Sequence, residues 1–240
     1  MYRVRVRWRD LPAGPTSDKR LTRHILTGML AGMRIGGPEL VGMIVAVSFA
    51  AGLNVYATVG TLGLLAQAGL LELPSGLQLL ANWWVIAAAS ALFAVEFFAD
   101  KVPAFDLFWN ALQTFVRVPV AALLAYGATS HLSPEKQLLA ALAGGAIALV
   151  AHGGKTAARV AVTPSPEPFS NFALSMSEDT LAVFLTWFAT RHPIAAGLTV
   201  AAFLTVIVVL SHWVVRMLKS IIAGAQKPPS ARNRDQLKVA

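Results

Sequence analysis

Apolar residues along this chain gather into long runs, and polar residues are confined to the gaps and to a few spaced positions inside the runs. A helix needs about 20 consecutive apolar residues to cross a bilayer. Six stretches meet or approach that length: residues 41–69, 79–99, 108–128, 137–158, 178–191 and 194–217. The pattern predicts an all-α membrane protein with about six transmembrane helices. The first stretch is too long for one straight crossing, because its 29 residues at a rise of 1.5 Å would span about 43 Å. "AAGLNVY" (50–56) is where it should bend or break. The fifth stretch is short, as a segment entered from a loop buried in the bundle would be, so interrupted or re-entrant segments belong to the expected fold.

Composition agrees with this reading. Hydrophobic residues make up 56% of the chain and charged residues 13%, with a mean hydropathy of +0.61; an average soluble domain carries about 25% charged residues. Cysteine is absent, which removes disulfides and thiolate metal sites from consideration. A net charge of +8 raises the question of nucleic acid, but the basic residues are unevenly placed. Residues 1–40 hold eight Lys/Arg against three acids and residues 213–240 hold six against one, while the interval between holds six against eight. Basic tails flanking apolar spans mark cytoplasmic ends attracted to anionic headgroups, so no nucleic-acid partner is expected.

Three regions follow: a basic arm (1–37), a transmembrane bundle (38–217) and a basic, disordered tail (218–240). In the arm, Tyr2, Val4, Val6 and Trp8 alternate with Arg3, Arg5, Arg7 and Arg9. That pattern suits a solvated tail on acidic lipid or a strand added to a protein partner. Ile25, Leu26, Met29, Leu30 and Met33 share one face, as in an interfacial helix. Six crossings return the chain to its starting side, which the positive-inside rule makes the cytoplasm for both termini. On that count residues 159–177 lie in a cytoplasmic loop.

"FWNALQTFVRVPVAALLA" (108–125) and "FSNFALSMSEDTLAVFLT" (169–186) align without a gap at an offset of 61 residues. The alignment indicates a parallel internal repeat of helix pairs, with chance similarity between Ala/Leu-rich helices as the competing explanation. Within it, Asp106, Asn110, Gln113 and Arg117 form one helical stripe, and Asn171, Ser175 and Glu178 form another beside Asp179. The preceding helices carry opposite charges: Glu96 and Asp100 on one, and His152, Lys155 and Arg159 on the other. A charge left unpaired in hydrocarbon costs at least about 2.5–3.5 kcal/mol, so these groups should turn inward and pair. The expected partners are Arg117 with Glu178 or Asp179, and Lys155 or Arg159 with Glu96 or Asp100. Asn54, Thr58 and Thr61 also share a face and read first as interhelical glue. A lone His152 reads first as a satisfied polar residue. Pro164, Pro166 and Pro168 should keep the approach to the fifth helix extended, with Ser170 as its cap.

The motifs "GLNVY", "EFFADKVP", "QTFVR", "AHGGK" and "SPEPFSN…SED", in this order over residues 52–193, resemble the bacterial integral-membrane family catalogued as domain of unknown function 4126. The resemblance implies a bacterial cytoplasmic (inner) membrane protein with no established activity. It places the family's polar positions at Asn54, Glu96, Asp100, Lys101, Gln113, Arg117, His152, Lys155, Glu167, Asn171, Glu178 and Asp179. In the family pattern a proline follows the arginine directly; here Val118 precedes Pro119.

Three functional classes remain. The first is a small channel or secondary transporter for an anion or zwitterion, its site formed by Arg117, Glu178, Asn171, Lys155, Asn110 and Gln113. Glu96, Asp100, Lys101, His152, Arg159 and Asp179 would form the surrounding ion-pair network. The second is a structural or accessory subunit whose basic arm engages a partner. The third is a lipid-phosphate enzyme with a divalent metal at Glu96 or Asp100, disfavoured because no nucleophile with a positioned base is evident. No catalytic residue, resident metal or cofactor is therefore expected. Ala/Gly faces would serve packing within one chain or in an oligomer.

Overall fold

Proline and asparagine punctuate the helices. The computed structural model describes residues 37–99, 103–162 and 168–225, and the basic arm and most of the basic tail lie outside them. Within the unit beginning at Pro38, the elements are α1 (Gly37–Leu53), α2 (Val55–Gln67), a 3-10 helix (Ser75–Ala81), α3 (Trp83–Ala99), α4 (Pro103–Ala128), α5 (Pro134–Val162), α6 (Pro168–Arg191) and α7 (Pro193–Ala225). The described residues contain no strand. Helices α4 to α7 each open on proline, whose fixed φ suits the first turn and whose missing N–H is no loss there. Pro168 therefore starts α6 where an extended approach was predicted, so Ser170 lies inside the helix and cannot be its N-cap. At 24 residues, α6 is also longer than the predicted short fifth span.

Asparagine marks the two breaks. Asn54 interrupts α1 and α2 inside the predicted window. Asn82 separates the 3-10 helix from α3 at a 66° bend and accepts the Trp84 N–H on its Oδ1 at 2.8 Å. Both are short acceptors well suited to capping a helix start.

Three helical stretches are long and apolar enough to cross a membrane: Ala111–Ala128, Pro134–Arg159 and Pro193–Met217; the bent pair at Asn82 makes up to four. This is fewer than the six predicted, for physical reasons. Helices α1 and α2 have 17 and 13 residues and are individually too short, since 13 residues rise only about 20 Å against a hydrocarbon core of about 30 Å. Helix α6 carries Glu178 and Asp179 among several serines, which lowers its hydropathy.

Helix α2 touches α3, α4, α6 and the 3-10 helix, and α4 lies along α5. The core is largely alanine, including the fully buried Ala46, Ala50, Ala121, Ala148, Ala182 and Ala189. Small residues let membrane helices approach closely, and Gly52 does so against α5: a Cβ there would sit 2.6 Å from the Ala148 carbonyl oxygen. The exterior is apolar, with Trp84 85% exposed, while Arg117 is the largest fully buried side chain among the described residues. Charge inside and aromatic surface outside invert the soluble pattern and suit a hydrocarbon solvent.

Overpacking at the α1–α5 contact sets a test. Gly52→Ala should lower stability by about 1–3 kcal/mol, read as an earlier thermal transition in detergent. Gly153→Ala, where an added Cβ meets nothing within 4 Å, should leave the transition unchanged or slightly raised.

Candidate functional site

The site is organised by the break at Asn54. Its backbone is extended (φ −149°, ψ 105°), and its side-chain Oδ1 accepts the Ala57 N–H at 2.9 Å. That N–H would otherwise close a helical bond to the Leu53 carbonyl. Buried cations take the carbonyls at the end of α1: Lys155 Nζ donates to Leu53 O at 3.2 Å and Arg117 Nη1 to Gly52 O at 3.4 Å. Cations are favoured at a helix C-terminus, where the peptide dipoles leave partial negative charge. On the other side of the break, Asn54 Nδ2 donates to Asp179 Oδ1 at 2.8 Å, which sets a carboxylate near the positive start of α2.

Around this break the charges interlock. Arg117 Nη2 pairs with Glu96 Oε1. Lys155 Nζ lies 3.1 Å from Glu178 Oε2 and 3.9 Å from Glu96 Oε1, bridging two carboxylates. Arg159 Nη2 donates to the same Glu178 oxygen at 2.7 Å. Arg117 Nη1 also meets His152 Nδ1 at 2.9 Å. A guanidinium only donates, so Nδ1 must accept and the neutral ring carries its proton on Nε2. Gln113 Nε2 donates to the Tyr56 hydroxyl at 3.2 Å, tying α4 to the first turn of α2. Among the described residues, the buried acids Glu96, Glu178 and Asp179 balance the buried bases Arg117, Lys155 and Arg159. Arg117 Nε, Gln113 Oε1 and Glu178 Oε1 are among the buried polar atoms of this centre that make no hydrogen bond among the described residues.

The structure thus gathers Arg117, Lys155, Glu178 and Gln113 around the break, with Glu96, His152, Arg159 and Asp179 bonded to them or to Asn54. The expected pairing holds for one pair and fails for the other. Arg117 joins Glu96 of α3 instead of Glu178 or Asp179, and Arg159 joins Glu178. The two bases on α5 lie on the turn facing Glu178 and occupy it, which leaves Glu96 to the guanidinium. The predicted Lys155–Glu96 contact survives only as the longer arm of a bridge. Asp100, Lys101 and Glu167 lie outside the described residues, as do the side chains of Asp106, Asn110 and Asn171.

Sequence reasoning missed three parts of the site. Asn54 bonds between helices as expected, to Asp179, but it is also the cap of α2, for which its place directly after a Gly-Leu pair at the predicted break was the available signal. The Tyr56 hydroxyl and the two backbone carbonyls had no signal in residue type or spacing.

A fold that is helical and without strands over the described residues, with an apolar exterior and a charged, buried interior, is that of an integral membrane protein. The chain belongs to the family described as domain of unknown function (DUF4126), whose family model matches residues 41–213 and so encloses every residue of the buried network. No curated protein and no solved structure matches it.

Removing one partner of a buried ion pair typically costs about 3–5 kcal/mol, so Arg117→Met should destabilise the folded protein by that order. In double-mutant cycles read by thermal melting, Arg117 should couple more strongly to Glu96→Gln than to Glu178→Gln; the reverse order would reinstate the pairing expected from spacing.

Proposed function

We propose that this protein is a small channel or secondary transporter of the bacterial inner membrane, in which a polar solute, a zwitterion or an anion, passes the buried centre beside Asn54. One observation carries the reading. Beside an interrupted helix, Arg117 Nε, Gln113 Oε1 and Glu178 Oε1 are buried with no hydrogen bond among the described residues. Leaving such an atom unsatisfied costs about 1–3 kcal/mol, and a solute offering both donors and acceptors would remove that cost. Buried acids and bases in equal number favour a zwitterion over a simple anion. Many transporters place their sites at helix interruptions of this kind.

In this reading α1 and α2 make one broken crossing, the 3-10 helix with α3 makes the second, and α4 to α7 complete six. Both basic termini then face the cytoplasm and its anionic headgroups. The pairs α3–α4 and α5–α6 form a parallel repeat. Its support is a shared burial register: Arg117, Ala121, Leu124 and Ala128 on α4 recur 61 positions on as Glu178, Ala182, Leu185 and Ala189 on α6. Each pair also closes an ion pair internally.

A second reading, a structural or accessory subunit, draws on the closure of the same network, since the side chains of Glu96, Arg117 and Lys155 are wholly buried against one another. Thermal unfolding in mild detergent against a panel of amino acids, small anions and cations separates the two. A ligand that binds only the folded state at a hundredfold excess over its Kd stabilises by about 2.7 kcal/mol. A zwitterion or anion should raise the transition saturably in the wild type and not in folded Gln113→Leu, and should then cross proteoliposomes. A flat response to the whole panel, with no flux, would leave the structural subunit standing.

A further inference from the structure

One buried titratable group, His152, has its protonation state fixed by geometry. It is 4% exposed, and its Nδ1 meets Arg117 Nη1 at 2.9 Å. The guanidinium can only donate, so the contact exists only while Nδ1 carries no proton; a proton there would set two donors against each other. The surroundings hold charges of both signs. Arg117 comes from α4, and Glu96 of α3 is paired with that guanidinium. Lys155 and Arg159 follow on the same helix as His152, and α6 supplies Asp179 and Glu178, the latter paired with both bases. Tyr56 of α2 reaches the centre through Gln113. Helix α1 meets α5 at Gly52 and α7 meets it at Ile207, and neither of these residues titrates. With the ring neutral, the buried acids and bases of the described residues are equal in number.

We propose that His152 takes up a proton together with a monovalent anion, which Arg117 and the imidazolium then hold between them. The inference rests on the transport reading and names the ion coupled to it. A charge-balanced centre admits a zwitterion unchanged, but a monoanion alone adds a negative charge that nothing offsets, in a medium where such a charge is costly. A proton on His152 offsets it at the point where the anion is held. Protonation of Nδ1 ends the contact with Arg117 Nη1 and the ring turns aside. The anion enters the gap and accepts from Nη1 and from the new Nδ1–H. Anion and proton together match a zwitterion in net charge, and each raises the affinity of the other by the same factor.

The test uses the full-length protein in a detergent with an uncharged headgroup. Chloride, nitrate and methanesulfonate, which stay ionised throughout, are titrated by calorimetry between about pH 5 and pH 8, beside the zwitterion taurine. An anion should bind with an affinity that is level below the titration of the ring and falls about tenfold per pH unit above it, and its binding should draw a proton from a weak buffer. In His152→Gln the side-chain oxygen accepts from Arg117 as the neutral ring does and takes no proton. That variant should bind the anion as weakly at every pH as the wild type does at the alkaline end. If it does not fold, a protein with His24, His131, His192 and His212 all changed to Gln decides, because His152 is then its only imidazole. Proton uptake that persists there supports the proposal, and its loss refutes it. Anion binding without pH dependence, proton uptake that survives in folded His152→Gln, or binding of taurine with no anion bound at any pH overturns the proposal and leaves the transport reading standing. No binding of anion or zwitterion at any pH overturns both.

Discussion

A helix that stops inside a bilayer leaves carbonyl oxygens that no water can reach, and in hydrocarbon each must find a donor or the structure fails. Here that constraint falls on Gly52 and Leu53. Asn54 diverts the Ala57 N–H to its own side chain, and the carbonyls at the end of α1 turn to Arg117 and Lys155. Two cations brought inside then require carboxylates. Glu96 and Glu178 supply them, and Arg159 and His152 fill the sides of the network. The buried charge follows from the broken backbone as much as from the helices that carry it.

The arrangement also explains why so much of the core is alanine. A network that ties α3, α4, α5 and α6 to one break needs those helices within side-chain reach of one point. Ala121, Ala148 and Ala182, all fully buried, allow that approach. Gly52 extends it to α1, whose backbone passes so close to Ala148 that no side chain fits between. Fully buried ion pairs are weak sources of net stability, because desolvation offsets much of the attraction. Packing therefore supplies the cohesion, and the charges determine which arrangement of helices is reached. A centre of that kind also has the chemical means to bind a polar solute, since breaking one contact exposes groups of both signs.

Much of this was readable in the sequence, unevenly. Charged residues inside apolar runs stand out, so Glu96, Arg117, Lys155, Arg159, Glu178 and Asp179 could be singled out from position alone. The break near Asn54 was readable too, because no straight helix of that length fits a bilayer. Partner choice was not. Periodicity places Arg117 and Glu178 on comparable faces of two helices, but the bases of α5 take Glu178 first, and that depends on how α5 and α6 pack. The capping role of Asn54 was hidden for a related reason. Its spacing with Thr58 and Thr61 fits an interhelical stripe, and the Asn54 amide does reach Asp179, but its Oδ1 caps α2 and the Thr58 hydroxyl bonds locally to the Asn54 carbonyl. Helix α6 is not among the stretches apolar enough to cross a membrane, and the polar residues that lower its hydropathy include those that build the centre.

The central claim is that Asn54 breaks the first helix and that Lys155 takes the Leu53 carbonyl it frees. Solid-state NMR of the protein in lipid bilayers, with Leu53 and Asn54 labelled, reads both directly. The account predicts extended-backbone shifts at Asn54 between helical neighbours, and a Leu53 carbonyl resonance that moves in Lys155→Met. Helical shifts running unbroken through Asn54, with a Leu53 carbonyl indifferent to Lys155, would contradict it.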